Sequence, residues 1–211
     1  PKLKAAGVKV IPVVPSVKLA NRIEQSGADA MIVEGMEAGG HIGNQTTMAL
    51  MSNVLATPHA IPVIVAGGIS DGRAIAAALI MGADGVQMGS RFILTEECPT
   101  HPKTKEAILK AVDTDSAVTG FSRGHAARCL KNEFTSEFLK LETAGAPQED
   151  LDKLSTGTNR LGSVEGDIVK GAVMVGQSLN VLNEILPCAE LMERLVNETK
   201  ETLAKAQKIE I

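Results

Sequence analysis

Aromatic residues are scarce in this sequence: tryptophan and tyrosine are absent, and only four phenylalanines occur among 211 residues. Proteins that bind single-stranded nucleic acids stack the bases on aromatic side chains. The chain also has a formal net charge of −4, whereas a nucleic-acid-binding surface is basic. These deficits argue against a nucleic acid as a partner.

Long apolar runs and paired cysteines are missing as well. No stretch approaches the roughly 20 apolar residues that cross a bilayer, so no membrane partner is expected. Three cysteines without a C-x-x-C pair (Cys98, Cys129 and Cys188) indicate reduced thiols and a cytoplasmic protein. The histidines are not spaced like metal ligands, so no metal site is predicted.

Three common catalytic motifs are absent too. The sequence contains no G-x-G-x-x-G, no G-x-x-x-x-G-K-[ST] and no G-x-S-x-G. Dinucleotide binding by a Rossmann unit, P-loop hydrolysis and serine-hydrolase chemistry therefore have no support from the sequence.

The chain begins with a segment typical of the end of a helix. Lys2 to Ala6 precede Gly7, and glycine is common just after a helix C-terminus. A domain rarely begins in the last turn of a helix. We therefore expect N-terminal sequence to be missing from this chain.

The first half of the chain alternates between strand and helix patterns, which favours a parallel sheet. Ser16 and Asp71 are predicted to cap two of the helices, and 48–56 forms a third. Strands are predicted at 8–14, 30–34, 61–66 and 85–88.

A weak internal repeat refines the predicted fold. The segment 11–29 runs from Ile-Pro-Val-Val to Gly-Ala-Asp, and 61–84 runs from Ile-Pro-Val-Ile to Gly-Ala-Asp. Duplicated strand–helix pairs suit a (β/α)8 barrel, which typically needs about 250 residues. We therefore predict an α/β fold, the C-terminal half of such a barrel.

The rest of the chain is predicted to be helical. We expect a half-barrel at 1–94 with strands 5–8, a helical insertion or lid at 95–167, and closing helices at 168–211. Within these segments, helices are predicted at 103–112, 126–141, 147–154, 171–186 and 189–207.

Glycines follow the predicted strands at the edge where parallel α/β folds bind ligands. Gly67-Gly68 and Gly89-Ser90 come after consecutive strands, an arrangement that favours binding of one phosphate group. The alternative is that each glycine only permits a tight turn.

One histidine lies within another glycine cluster, E-G-M-E-A-G-G-H-I-G at 34–43. His41 is a candidate to donate or accept a proton at neutral pH. The alternative is a structural histidine. Glu34 and Glu37 flank the same loop, where a solvated or backbone-bonding role competes with a catalytic one.

These motifs resemble the nitronate monooxygenase superfamily, and within it the FMN-dependent enoyl-acyl-carrier-protein reductases of bacterial fatty-acid synthesis. The resemblance rests on the cluster at 34–43, I-P-V-I-V-A-G-G-I-S-D-G at 61–72, G-A-D-G-V-Q-M-G-S-R-F at 82–92 and G-A-V-M-V-G-Q at 171–177. It extends to R-G-H-A-A-R-C-L-K-N at 123–132. It implies a full (β/α)8 barrel of which about the first third is absent here.

The resemblance implies FMN as cofactor, bound by the half-barrel at 1–94, and NADH as reductant. Gly67, Gly68, Gly89 and Ser90 would bind the FMN phosphate. The segment with Met174 would begin the closing helix against the flavin, although core packing is the alternative role for that methionine. The implied cofactor-binding residues are Glu34, Gly39, Gly40, Gly67, Gly68, Gln87, Gly89, Ser90, Met174, Gly176 and Gln177.

Two activities share this framework. A reductase would reduce a trans-2-enoyl thioester on acyl carrier protein with NAD(P)H, and His41 would lie near the proton transfer or the thioester carbonyl. A nitronate monooxygenase would oxidise alkyl nitronates with oxygen, with the same histidine as base or anchor. Met36, and Ile42 where monooxygenases often carry arginine, favour the reductase. A homodimer is expected, and a non-catalytic phosphate-binding barrel piece is a third hypothesis.

The insertion has its own alternatives. It would cover the substrate channel and receive the carrier protein, or serve as padding or a dimer surface. Arg123, His125 and Arg128 are candidates to bind phosphates of the nucleotide or the pantetheine arm, and solvated surface charge is the alternative role for each.

Overall fold

The structure is a computed structural model that describes residues 2–210. Its strands are β1 (Val13–Val14), β2 (Met31–Glu34), β3 (Gly40–His41), β4 (Val63–Ala66), β5 (Gly85–Gln87), β6 (Ser116–Thr119) and β7 (Ala127–Leu130). Its α-helices are α1 (Lys2–Ala5), α2 (Val17–Gln25), α3 (Thr47–Leu55), α4 (Gly72–Ile80), α5 (Ser90–Ile93), α6 (Pro102–Lys110), α7 (Glu133–Thr143), α8 (Gln148–Ser155), α9 (Thr158–Ser163) and α10 (Cys188–Ala206).

The chain forms two compact units. Within the described residues, unit 1 comprises 2–37, 43–88 and 192–210, and unit 2 comprises 38–42 and 89–191. The predicted three-part division has boundaries at 94 and 167, which differ from those of the two compact units. It stays a prediction about the complete barrel.

Unit 1 contains a four-stranded parallel sheet in the order β1-β2-β4-β5. All four strands coincide with predicted ones, although each is shorter at one or both ends. The α/β class with a parallel sheet is therefore confirmed, while closure as half of a barrel stays a prediction.

The predicted helix caps in unit 1 are confirmed. The Ser16 hydroxyl accepts a hydrogen bond from the Leu19 N–H at 3.3 Å. The Asp71 carboxylate accepts one from the Ala74 N–H at 2.9 Å. Each side chain thereby satisfies a backbone donor that has no partner within its helix, which fixes the start of α2 and α4.

The aspartates of the two Gly-Ala-Asp segments make the same kind of contact, although the valines that they bind do not correspond in the repeat. The Asp29 carboxylate accepts a hydrogen bond from the Val10 N–H at 2.9 Å, and the Asp84 carboxylate accepts one from the Val63 N–H at 2.8 Å. Each aspartate N–H also donates to the carbonyl of the valine whose N–H its carboxylate binds. The repeated Gly-Ala-Asp thus ties the residue that precedes one strand to the start of its neighbour.

Apolar side chains cover the sheet of unit 1. One cluster joins β1 and β2 to α2 and α3 around the fully buried Val14, Met31 and Leu50. A second cluster packs Val65 of β4 against Ala78 of α4. Burial of the valine, leucine and methionine side chains, each contributing about 1.5–3 kcal/mol relative to exposure, stabilises the sheet.

Unit 2 contains a sheet that the sequence analysis did not predict. Its three strands pair antiparallel in the order β3-β7-β6. The predicted helix at 126–141 is therefore wrong over its first part, where Ala127–Leu130 is strand β7, and right over the part that lies in α7. The insertion is thus a mixture of strands and helices.

The predicted helix at 171–186 is also wrong. This segment is extended around Met174, which forms an isolated antiparallel bridge with Cys129, and it contains only a short 3-10 turn at Leu179–Val181. Ala172, Val173 and Val175 are buried, and the two valines pack in one cluster with Leu130 of β7. The helices predicted at 103–112, 147–154 and 189–207 are confirmed as α6, α8 and α10.

No helix among residues 2–210 combines the length and the apolar character that a membrane span requires. The three cysteines are free thiols.

Candidate functional site

The predicted glycines of unit 1 lie at the carboxyl edge of the parallel sheet. Glu34 at the end of β2 is in register with Ala66 at the end of β4, which is in register with Gln87 of β5. Gly67 and Gly68 follow β4 directly. The first part of the predicted site is therefore gathered at one edge, where parallel sheets bind their ligands.

Two glycines at this edge are required by the chain itself. A Cβ on Gly35 would lie 2.1 Å from Thr47 Oγ1, and one on Gly67 would lie 2.8 Å from the Gly35 carbonyl oxygen. Gly67 also has a φ of +93°, a backbone conformation that residues other than glycine rarely adopt. The tight-turn role therefore holds for Gly67, and any ligand contact there is additional to it.

Glu37 has the backbone-bonding role that the sequence left open. Its Oε2 atom accepts a hydrogen bond from the Thr47 N–H at 2.7 Å and lies 2.8 Å from the Thr47 hydroxyl oxygen. The formal N-cap of α3, Thr46, makes no side-chain cap. Glu37 therefore caps α3 although it lies ten residues before it in the sequence, and its carboxylate is placed at the helix N-terminus.

Glu34 differs from its neighbour because its carboxylate has no hydrogen bond or ion pair with residues 2–210. It is partly buried, and burial raises the pKa of the carboxyl group above its ordinary value. An unpaired carboxyl at a sheet edge is chemically suited to accept a hydrogen bond from a ligand.

In unit 2, His41 lies on strand β3 and not in a loop as predicted. It pairs with Ala127 of β7, while Gly40 pairs with Arg128. The imidazole is exposed and makes no hydrogen bond within the described part of the chain. The strand fixes the backbone of His41 and leaves both ring nitrogens available to a ligand.

The glycines before His41 allow two segments of unit 2 to approach closely. A Cβ on Gly39 would lie 2.6 Å from the Val175 carbonyl carbon, and one on Gly40 would lie 3.3 Å from the Met174 sulfur. Gly40 also has a φ of +77°. These glycines therefore support the packing of the 172–177 segment as well as any approach to a cofactor.

The segment with Met174, Gly176 and Gln177 does not begin a helix, so that part of the prediction is corrected. The Gly176 N–H donates a hydrogen bond to Ser90 Oγ at 2.8 Å. This fixes Ser90 and leaves its hydroxyl hydrogen free to point elsewhere. Gln177 is exposed.

Gly89 contrasts with the other glycines because a Cβ at this position would have no atom within 4 Å beyond those of its chain neighbours. Its φ of −101° is accessible to any residue. Neither the backbone conformation nor the packing therefore requires glycine at position 89. Open space beside the Gly89 backbone is what a bound phosphate group would need.

Unit 2 also contains a cavity of about 530 Å³. His41 lines it, together with apolar side chains that include Met174 and an edge-to-face pair formed by Phe134 and Phe138, with ring centroids 6.1 Å apart. The buried Cys129 also lines it, and burial raises the pKa of this thiol to about 11. Cys129 is therefore a neutral, unreactive wall residue at neutral pH.

Polar residues complete the cavity wall, and among them are Arg123 and His125. Arg128 does not line it; this residue is buried and donates a hydrogen bond to the Ser116 hydroxyl at 3.0 Å. Its predicted alternative as solvated surface charge is therefore wrong. The cavity holds no cluster of three metal-ligating side chains, and neither does any other part of residues 2–210.

Several of these residues were missed in the sequence analysis. The Phe134–Phe138 pair, Cys129 and Asp152 reach the cavity only because β7 turns into α7 and α8 packs nearby. One part of the cavity wall does have a sequence signal. The segment G-F-S-R-G at 120–124, with two glycines around three residues, is typical of a short turn.

The chain is similar to known proteins over most of its length. A profile of the nitronate monooxygenase family matches residues 1–198. A probable nitronate monooxygenase of Bacillus subtilis is 32% identical over 205 residues, which cover 93% of this chain and 59% of that protein.

Two solved structures are similar over nearly the whole chain. FabK from Thermotoga maritima has 45% identity and a TM-score of 0.93, with 98% of this chain and 65% of FabK covered. A nitroalkane oxidase from Streptomyces ansochromogenes has 30% identity and a TM-score of 0.80, with 97% and 61% covered. The chain thus spans less than two thirds of each of these relatives, and it belongs to the nitronate monooxygenase family.

Proposed function

We propose that the protein is a flavin-dependent reductase that uses NADH or NADPH to reduce trans-2-enoyl thioesters on acyl carrier protein. The observation that carries this proposal is the cavity of unit 2, which has His41 and an apolar wall with Phe134 and Phe138. An enoyl chain needs an apolar pocket, and its reduction needs a proton donor beside it.

Similarity supports the reductase over the monooxygenase. The identity to FabK, an enoyl-acyl-carrier-protein reductase, is 45%, whereas the identity to the nitroalkane oxidase is 30%. Met36 and Ile42 favour the same choice. The curated relatives named probable nitronate monooxygenase keep that activity as the second candidate.

The residues of unit 2 that the resemblance assigns to FMN offer groups suited to a phosphate. Gly89 has open space where a side chain would begin, and Ser90 is held by the Gly176 N–H with its own hydroxyl hydrogen uncommitted. A phosphate oxygen would accept hydrogen bonds from such groups. From this unit we propose contacts through Gly39, Gly40, Gly89, Ser90, Met174, Gly176 and Gln177.

From unit 1 we propose contacts through the carboxyl edge of the sheet. Gly67 and Gly68 both have positive φ, so the backbone turns sharply after β4. Glu34 and Gln87 end the two strands that flank β4 at the same edge. These residues would hold the flavin by backbone and side-chain hydrogen bonds.

When bound, FMN supplies the hydride transfer between the nicotinamide and the β-carbon of the thioester. The chain supplies position and proton. His41, fixed on β3 with an imidazole that no described residue engages, delivers the proton to the α-carbon or donates a hydrogen bond to the thioester carbonyl. The apolar cavity wall excludes water from the enoyl chain.

A steady-state comparison tests the proposal. The purified full-length protein should be yellow, and it should oxidise NADH when crotonyl thioester is added under anaerobic conditions. Oxygen uptake with nitroalkane anions, without any response to enoyl thioesters, would establish the monooxygenase instead. A yellow protein with neither activity would favour the non-catalytic phosphate-binding hypothesis. Light scattering on the same sample tests the predicted homodimer.

A further inference from the structure

A short turn on the cavity of unit 2 is unusually well fixed. The 3-10 turn Phe121–Arg123 lies between Gly120 and Gly124, which have φ values of +71° and +75°. The His125 N–H closes the turn by donating to the Gly120 carbonyl at 3.1 Å. A Cβ on Gly120 would lie 2.5 Å from the His125 carbonyl oxygen, so the closure leaves room for glycine alone.

Glu142 of α7 anchors this turn. Its carboxylate accepts hydrogen bonds from the Gly120 N–H at 3.0 Å and the Ser122 N–H at 3.0 Å, and the Ser122 hydroxyl donates a third at 2.6 Å. Backbone and hydroxyl donors thus engage the carboxylate, and no ion pair joins it to a cation of the turn. The turn is therefore held in one conformation before a ligand binds, and Glu142 does not neutralise the positive charge of Arg123.

The turn brings two basic residues to the cavity wall. Arg123 and His125 both line the cavity, on either side of Gly124. The Arg123 Nη2 donates to the Ala146 carbonyl at 2.9 Å, which orients the guanidinium and uses one of its five N–H donors.

Apart from the Cys129 thiol, which is neutral at neutral pH, the other ionisable residues of the cavity are His41 and Asp152. Asp152 accepts a hydrogen bond from the Gln148 amide at 2.9 Å and has no ion pair within residues 2–210. Basic groups therefore outnumber the acidic one in this cavity, although the whole chain carries a net charge of −4.

We propose that Arg123 and His125 form a phosphate-binding subsite of this cavity, with the uncharged part of the ligand extending along Phe134 and Phe138. A planar guanidinium donates paired hydrogen bonds to phosphate oxygens, and the imidazole adds a further donor. This inference rests on the proposed function, which offers two sources of a phosphate ester: the pantetheine arm of the thioester and the nucleotide reductant.

The test compares ligands that differ only in the phosphate. Binding of 4′-phosphopantetheine and of pantetheine is measured by calorimetry on the full protein with its flavin. Steady-state kinetics use the crotonyl thioesters of the same two compounds. The variants are Arg123→Gln, Arg123→Lys and His125→Gln, and Arg22→Gln is the control because it removes an exposed arginine of α2 in unit 1.

Arg123→Gln should weaken binding of the phosphorylated compound, and raise the KM of its thioester, by about 10- to 100-fold, as expected for loss of a charge-assisted hydrogen bond. The KM of the pantetheine thioester should change by less than about twofold, because this compound has no phosphate to contact Arg123. Arg123→Lys should restore part of the loss, since it keeps the charge without the planar fork. His125→Gln should act in the same direction, and Arg22→Gln should change neither ligand.

The remaining outcomes distinguish the two sources of the phosphate, and they separate failure of the subsite from failure of the proposed function. A rise in the KM of NADH, with no change for either thioester, would assign the subsite to the reductant. Equal binding of the two pantetheine compounds by the wild type, with an unchanged KM of NADH in Arg123→Gln, would overturn the subsite. Because calorimetry needs no turnover, phosphate-dependent binding by a protein that reduces no thioester would refute the proposed function and leave the subsite standing.

Discussion

The two units use their glycines in different ways. In unit 1, Gly35 and Gly67 exist because the chain itself occupies the space where a side chain would be. In unit 2, Gly89 borders open space and has an unstrained backbone. Packing therefore requires glycine after β4 but not at position 89, a difference that the glycine motifs alone do not reveal.

Charged residues show the same contrast. Unit 1 uses Glu37 for a backbone N–H at the start of α3. Unit 2 also uses a glutamate, Glu142, for backbone donors, but the result is a turn that presents Arg123 and His125 to a cavity. The first arrangement stabilises the start of a helix, whereas the second fixes a turn in the wall of a cavity.

The largest expected effect concerns His41 in the cavity of unit 2. His41→Ala should leave the protein yellow and lower turnover with enoyl thioester by about 10²–10⁴, the usual loss for a general acid–base group. Flavin content and kcat are measured on the same preparation. Turnover that matches the wild type would remove His41 from the mechanism.

A pair of glycine substitutions tests the contrast directly. Gly35→Ala should destabilise the protein by about 1–3 kcal/mol or more, because its Cβ would overlap Thr47. Gly89→Leu should release flavin because its side chain enters the open space, and without flavin its free energy of unfolding should lie within about 0.5 kcal/mol of that of the flavin-free wild type. Urea unfolding and flavin retention are measured for both. Equal stability of the two variants would contradict the assignment.

The cap at α3 gives a smaller effect. Glu37→Ala should cost about 1–2 kcal/mol of unfolding free energy, as loss of a helix cap does. Glu106→Ala is the control, because this exposed residue makes only an i,i+4 ion pair with Lys110, and exposed ion pairs contribute little to stability. A Glu37 variant no less stable than the Glu106 variant would show that the cap is not formed in solution.

The smallest effect is a pH dependence in unit 1. His59 Nδ1 lies 2.8 Å from the Glu24 carboxylate, and its Nε2 lies 2.9 Å from the Val54 carbonyl. Burial alone would lower the pKa of His59, but these two hydrogen bonds raise it above the ordinary value of 6.5. A raised folded pKa gives stability that is complete below pH 6.5 and is lost as pH rises through the folded pKa.

The measurement compares the wild type with His59→Gln. The difference in unfolding free energy should be largest near pH 6 and should shrink as pH rises above 7. The pKa of Glu24 is lowered, chiefly by its hydrogen bond to His59, so its own contribution disappears only below pH 4.5. A difference that does not vary between pH 6 and pH 8.5 would contradict the charged pair.

The sequence predicted unit 1 better than unit 2, for physical reasons. In unit 1 the strands are short β-branched runs bounded by glycine and proline, and capping residues such as Ser16 and Asp71 mark the helices. These signals are local. The four parallel strands and their carboxyl edge could therefore be anticipated.

Unit 2 depends on contacts that are distant in sequence. Strand β7 is almost wholly buried, so it lacks the alternation that would distinguish it from the following helix. Met174 is extended because it bridges to Cys129, a contact 45 positions away. The cavity is formed by such contacts, which is why His41 was predicted from its glycines but the Phe134–Phe138 wall was not.

The most direct test of the central claim is an anaerobic absorbance trace of the purified full-length protein. We expect a yellow protein that is bleached by one equivalent of NADH and regains its colour when crotonyl thioester is added without oxygen. A protein that stays bleached until air is admitted, or that binds no flavin at all, would contradict the proposed reductase.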